Sequence, residues 1–157
     1  MSLFPVISIG SLVAVVWLWA NLDPPKAEPV AVEEREEGVC ALLWQKWTPG
    51  AVEKARANGR HVWLHFAADW DIGTAVNEKR LFSNQKVIRK LIDGGFVLLE
   101  ADLTELDPEV SEELRRYGKA TTPTDIVFSK SPFRGPVILP EMISVDEALK
   151  ALDEVTR

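Results

Sequence analysis

A second cysteine is missing from this chain. Only Cys40 is present, so no internal disulfide can form, and no Cys and His cluster has the spacing of a structural zinc site. Cysteine usage therefore says little about compartment. Basic clusters are also missing. Eighteen Lys and Arg stand against 24 Asp and Glu, a formal charge of −6, and nucleic acid is not an expected partner because its phosphates require concentrated positive charge. No internal repeat is visible, and 157 residues suit one globular domain with an appendage rather than two independent cores. No cofactor is expected.

Charge is absent from one further place, the stretch Ser2 to Leu22, which is rich in Leu, Ile, Val and Trp. At 1.5 Å per residue, about 20 such residues span a bilayer core. A cleaved signal peptide is the competing reading, but a basic start, a short apolar core and small residues before a cut are not clear here. Trp17 and Trp19 suit an interfacial aromatic belt, and residues 1–22 are expected to be a retained transmembrane anchor. Lys26 and Arg35 after the run favour a cytoplasmic domain by a count of two residues. Residues 23–43, with Pro24, Pro25, Pro29 and the acids Glu33, Glu34, Glu36 and Glu37, read as a solvated acidic linker.

From residue 44 to 157 the pattern is globular. Thr48 and Pro49 suggest a helix start, with Gly59 closing that helix. His61 to Ala67 alternates Val62, Leu64 and Phe66 with Trp63 and His65, as a buried central strand should. Ile72 to Leu91 is helical with a break near Ser83 and Asn84, and Phe96 to Ala101 is a strand. Asp107 and Pro108 open another helix that ends before Gly118. Thr124 to Phe128 and Val137 to Leu139 are strands joined by a turn around Pro132 to Gly135. Ser144 and Glu147 form a capping box for the last helix, whose apolar stripe is Val145, Ala148, Leu149, Leu152 and Val155. This order implies an α/β domain: a mixed sheet with helices on both faces.

The order of elements, the stretch Ala67-Ala68-Asp69-Trp70 and the pair Thr122-Pro123 resemble the thioredoxin fold. Further stretches, Val76 to Glu78, Ala101 to Asp107, Leu114 to Pro123 and Leu139 to Ser144, make the chain similar to the periplasmic C-terminal domain of DsbD-type thiol:disulfide interchange proteins. That resemblance implies a Cys-x-x-Cys helix start after the Asp-Trp pair, passing electrons from a membrane domain to periplasmic partners. Asp71-Ile72-Gly73-Thr74 occupies those four positions here. Dithiol exchange needs one thiolate to attack and a second thiol to resolve, and Asp71 and Thr74 do neither. As a helix N-cap, Asp71 is expected to accept a hydrogen bond from the Thr74 N–H.

The same resemblance places His65 where the family has a buried acid, makes Thr122-Pro123 the cis-proline beside the site, and puts Glu78 at an acidic family position. Asp125 stands where relatives carry an apolar or aromatic residue. His65, Asp71, Glu78 and Asp125 could converge, as in a metal or acid–base site, but no local pair spacing fixes two ligands on one face and no metal is expected. Trp63 and Trp70 read as core and site wall, and His61 as a strand-edge residue. The groove is assigned to Trp70, Asp71, Ile72, Gly73, Thr74, Thr122 and Pro123.

The expectation is a membrane-anchored, redox-inactive module that holds a protein or extended peptide and is not an enzyme. Alternatives are thiol exchange through Cys40, a Cys40-linked dimer, and a structural subunit of a DsbD-like membrane complex. The resemblance outweighs the charge count, so a single-pass inner-membrane protein with its domain on the periplasmic or extracytoplasmic side is expected.

Overall fold

In the computed structural model the described residues are 33–35 and 39–157, with side chains from residue 42. The anchor assigned to residues 1–22 lies outside them. Among the described residues no helix is long and apolar enough to cross a membrane.

Among the described residues, seven strands and five helices follow one another. A small antiparallel hairpin pairs β1 (Glu33–Arg35) with β2 (Val39–Ala41). Next come β3 (Trp44–Lys46), α1 (Ala51–Ala57), β4 (Val62–Ala67), α2 (Ile72–Leu81) and α3 (Gln85–Asp93). The remainder is β5 (Val97–Asp102), α4 (Pro108–Arg116), β6 (Thr124–Phe128), β7 (Val137–Ile138) and α5 (Val145–Thr156). The main sheet has the order β3-β5-β4-β6-β7, with β3, β5 and β4 parallel and β6 and β7 antiparallel to their neighbours.

β4 is central because all six of its residues are buried, which requires apolar cover on both faces. Its alternation divides the core as expected. Val62, Leu64 and Phe66 pack with Val52 of α1 and Val110 and Leu114 of α4. Trp63, on the opposite face, packs with Leu81 of α2, Leu91 of α3 and Leu152 of α5. Each such large apolar side chain contributes about 1.5–3 kcal/mol relative to exposure, so the two layers clamp the sheet independently of the surface charge.

Three local readings are corrected. α1 is capped by Gly50 at φ 80°, not by Thr48, whose carbonyl instead closes a turn onto the Ala51 N–H. Two short strands stand within the segment read as a linker, and β3 precedes the first helix. His61 is buried rather than at a strand edge: its ring stacks on Phe96 at 5.1 Å and its Nδ1 accepts from the Lys130 N–H at 3.2 Å. Burial, then the Lys130 charge, lowers its pKa and favours the neutral ring that this acceptor role needs. The other caps stand where expected: Asp107 before Pro108, and the Ser144–Glu147 capping box.

Candidate functional site

The site is assembled where β4 ends. Its chain turns through Ala68–Trp70 and enters α2 with Asp71 as N-cap. Asp71 Oδ1 accepts from the Gly73 N–H at 2.9 Å, and Oδ2 accepts from the Thr74 hydroxyl at 3.1 Å. The expected donor, the Thr74 N–H, is thus replaced by the Gly73 N–H and the Thr74 side chain. A carboxylate at this end also complements the positive pole of the helix. The preceding loop is tied to the turn after β5, where Thr104 Oγ1 accepts from the Asp69 N–H at 3.0 Å and the Thr104 carbonyl from Trp70 Nε1 at 3.2 Å.

Against this turn lies the Thr122–Pro123 peptide, which is cis. The two are packed without slack: a Cβ at Gly73 would sit 2.9 Å from Pro123 Cδ. Trp70, Ile72, Leu106 and Met142 remain exposed, an unusual concentration of large apolar surface for one end of a small domain. Trp63, in contrast, is fully buried. Beside the turn is a cavity of about 570 Å³, walled by Trp70, Leu103, Leu106 and Leu114, with Asp71, Thr122 and Glu141 at its polar margin. Pro123, Ile72, Gly73 and Thr74 do not line it.

Beneath the turn is a buried charged cluster. His65 Nδ1 donates to Asp125 Oδ1 at 2.8 Å, and Trp63 Nε1 donates to the same oxygen at 2.6 Å. Asp125 Oδ2 is buried with no hydrogen-bond partner among the described residues. His65 Nε2 meets Glu78 Oε1 at a longer 3.4 Å. The sheet register sets Glu100 of β5 and Asp125 of β6 on either side of His65, and Lys46 of β3 beyond Glu100. Trp44 and Phe82 cover the imidazole with ring centroids 5.6 and 6.0 Å away. Burial opposes the charged ring, but the Asp125 charge and hydrogen bond, aided by Glu78, outweigh it and raise the His65 pKa to about 10. The ring is therefore an imidazolium at neutral pH. In that form both ring nitrogens donate, one toward each carboxylate.

Of the four residues expected to converge, His65, Glu78 and Asp125 do so. Asp71 does not join them, because its carboxylate is turned to its own helix start. Among the described residues no group of three or more His, Cys, Asp or Glu is disposed to hold a metal ion. Cys40 lies on β2, whose side chains are outside the described part.

One contributor, Asn77, escaped the sequence reading. Asn77, with no exposed surface, donates from Nδ2 to the Glu141 carbonyl at 2.7 Å and accepts the Ile143 N–H at 3.2 Å. This side chain fixes the segment that carries Glu141 to the cavity. Its only sequence signal is a small polar residue three positions after Thr74, on the helix face that turns inward.

The sequence profile of the thioredoxin-like family matches residues 43–130. The chain belongs to the thioredoxin-like family. It is 39% identical over 122 residues to the thiol:disulfide interchange protein DsbD of Vibrio cholerae serotype O1, covering 74% of this chain and 20% of that protein. The DsbD of Ralstonia nicotianae is 34% identical over 87 residues, covering 55% and 14%. The chain thus spans a fifth or less of the length of these relatives. Among solved structures, the reduced C-terminal domain of DsbD from Neisseria meningitidis superposes with a TM-score of 0.55 at 19% identity, covering 71% of this chain and 99% of that one. A thioredoxin from Thermus thermophilus gives a TM-score of 0.56 at 26% identity, covering 71% and 85%. This is a thioredoxin-like domain related to the C-terminal domain of DsbD, and it carries one cysteine.

Proposed function

We propose that this domain has exchanged thiol chemistry for the non-covalent holding of a polypeptide, with Asp71 and Thr74 at the positions its DsbD relatives use for their redox pair. The observation that carries this reading is the Asp71–Thr74 turn itself. It keeps a fixed anion at a helix start against the cis-proline, while a carboxylate and a hydroxyl supply neither the attacking thiolate nor the resolving thiol that exchange requires. The exposed Trp70, Ile72, Leu106 and Met142 around that turn suit a partner surface rather than a free one. The domain serves a membrane-tethered system of the thiol:disulfide interchange kind, held by residues 1–22 and facing the extracytoplasmic side, with a protein or extended peptide as its partner.

The direct test is reduction of insulin disulfides by the full chain with dithiothreitol as electron source. The rate should equal that of dithiothreitol alone. A faster rate that survives Cys40→Ser contradicts the reading. For the tether, removal of residues 1–22 should release the protein from washed membranes, and retention there would contradict it.

A further inference from the structure

We infer that the cavity beside the Asp71 turn is a pocket for a cationic side chain, so that the peptide held there presents a lysine or arginine to it. The inference rests on the holding role proposed above and names the class of partner for that groove.

The walls and the margin of the cavity ask for different chemistry. Leu103, Leu106 and Leu114 give apolar walls, and Trp70 adds an indole pinned by its own hydrogen bond to the Thr104 carbonyl. The polar margin supplies acceptors. Asp71 uses one hydrogen bond per oxygen internally, which leaves lone pairs on both, since a carboxylate offers about four acceptor sites. Glu141 makes no salt bridge among the described residues. Thr122 is only 8% exposed, and its hydroxyl has no hydrogen-bond partner among the described residues. One cation, Arg115, also borders the cavity, but its guanidinium is engaged by Glu112 at 2.8 and 3.1 Å.

Competing occupants fail on these terms. An aliphatic side chain would cover the walls while stripping water from the Asp71 and Glu141 carboxylates, which it cannot satisfy, and each group left unpaired is costly. An acidic side chain would meet two carboxylates in a protein that already carries −6. A lysine or arginine lays its methylene stem along the leucines and brings its charge to the acceptors, with the indole face adding a cation–π contact. The carboxylate at the helix start thereby gives a partner a reversible ionic anchor.

The test uses the full chain in detergent and three end-blocked heptapeptides that differ only at the central residue: lysine, its neutral near-isostere norleucine, or glutamate. Affinities are read from amide shifts of residues 71–74 and 121–122. The lysine peptide should bind at least tenfold tighter than the norleucine peptide, and the glutamate peptide weakest. The lysine preference should vanish in Asp71→Asn/Glu141→Gln, in which the side-chain amides keep the helix cap while removing charge. Equal or tighter binding of norleucine overturns the cationic pocket and leaves the holding role standing. Failure of all three to shift these amides overturns both.

Discussion

His65 and Asp125 face each other across β4 and β6 with 2.8 Å between Nδ1 and Oδ1, both 1% exposed. This is an ion pair built into the centre of the sheet, and its proton is held by folding. The His65 pKa moves from 6.5 unfolded to about 10 folded. A raised histidine pKa stabilises fully below the unfolded value, and that contribution fades as pH climbs to the folded one. Urea unfolding should therefore show stability falling between pH 6.5 and about 10 in the native protein. His65→Gln should lose this slope, and parallel pH profiles would contradict the assignment. Glu78, Glu100 and Lys46 share the neighbourhood, so Asp125→Asn is the sharper variant. It should cost about 3–5 kcal/mol, the usual penalty for leaving one buried charge without its partner.

Asn77 offers a second test. Because its amide satisfies both the Glu141 carbonyl and the Ile143 N–H, Asn77→Ala should destabilise the fold by about 1–3 kcal/mol. It should also speed hydrogen exchange at the Ile143 amide more than at Leu64 in β4. Equal acceleration at both sites would mean that the residue supports the fold generally and does not fix the edge of the cavity.

Gly73 sets two effects against each other. Alanine gains about 1 kcal/mol in helix propensity, but its Cβ would fall 2.9 and 3.3 Å from the Pro123 ring. A ring cannot swing aside as a long side chain does, and overpacking typically costs about 1–3 kcal/mol. Gly73→Ala should thus lower the melting temperature and shift the Thr122 and Thr124 amides. An unchanged or higher melting temperature would show that the turn and the cis-proline are less closely packed than described.

The parts legible in the sequence were those with local causes. The alternation of β4 announced which face each residue takes, and Asp107-Pro108 and Ser144-Glu147 marked helix starts by side-chain chemistry alone. His65 and Asp125 stood out only through the family resemblance, as departures from a buried acid and from an apolar or aromatic residue. What stayed hidden depended on distant partners. β3 has only three residues and takes its identity from pairing with β5. Asn77 and Glu141 look like ordinary helix and loop residues until the segment around 141–143 is brought over α2. The separation of Asp71 from the His65 cluster was equally hidden, because spacing along the chain does not say which way a capping carboxylate turns.

The central claim is that Asp71 and Thr74 occupy a redox turn emptied of its thiols, and it is tested most directly by putting thiols back. In a Cys40→Ser background, Asp71→Cys and Thr74→Cys would place two sulfurs across the first turn of α2, with Cα atoms expected within the roughly 4.4–6.8 Å that a disulfide requires. Mass spectrometry after mild oxidation should find the protein two hydrogens lighter, with no free thiol. Two thiols that stay free and never pair would contradict the account, because residues 71–74 would then not form a turn able to hold a redox pair.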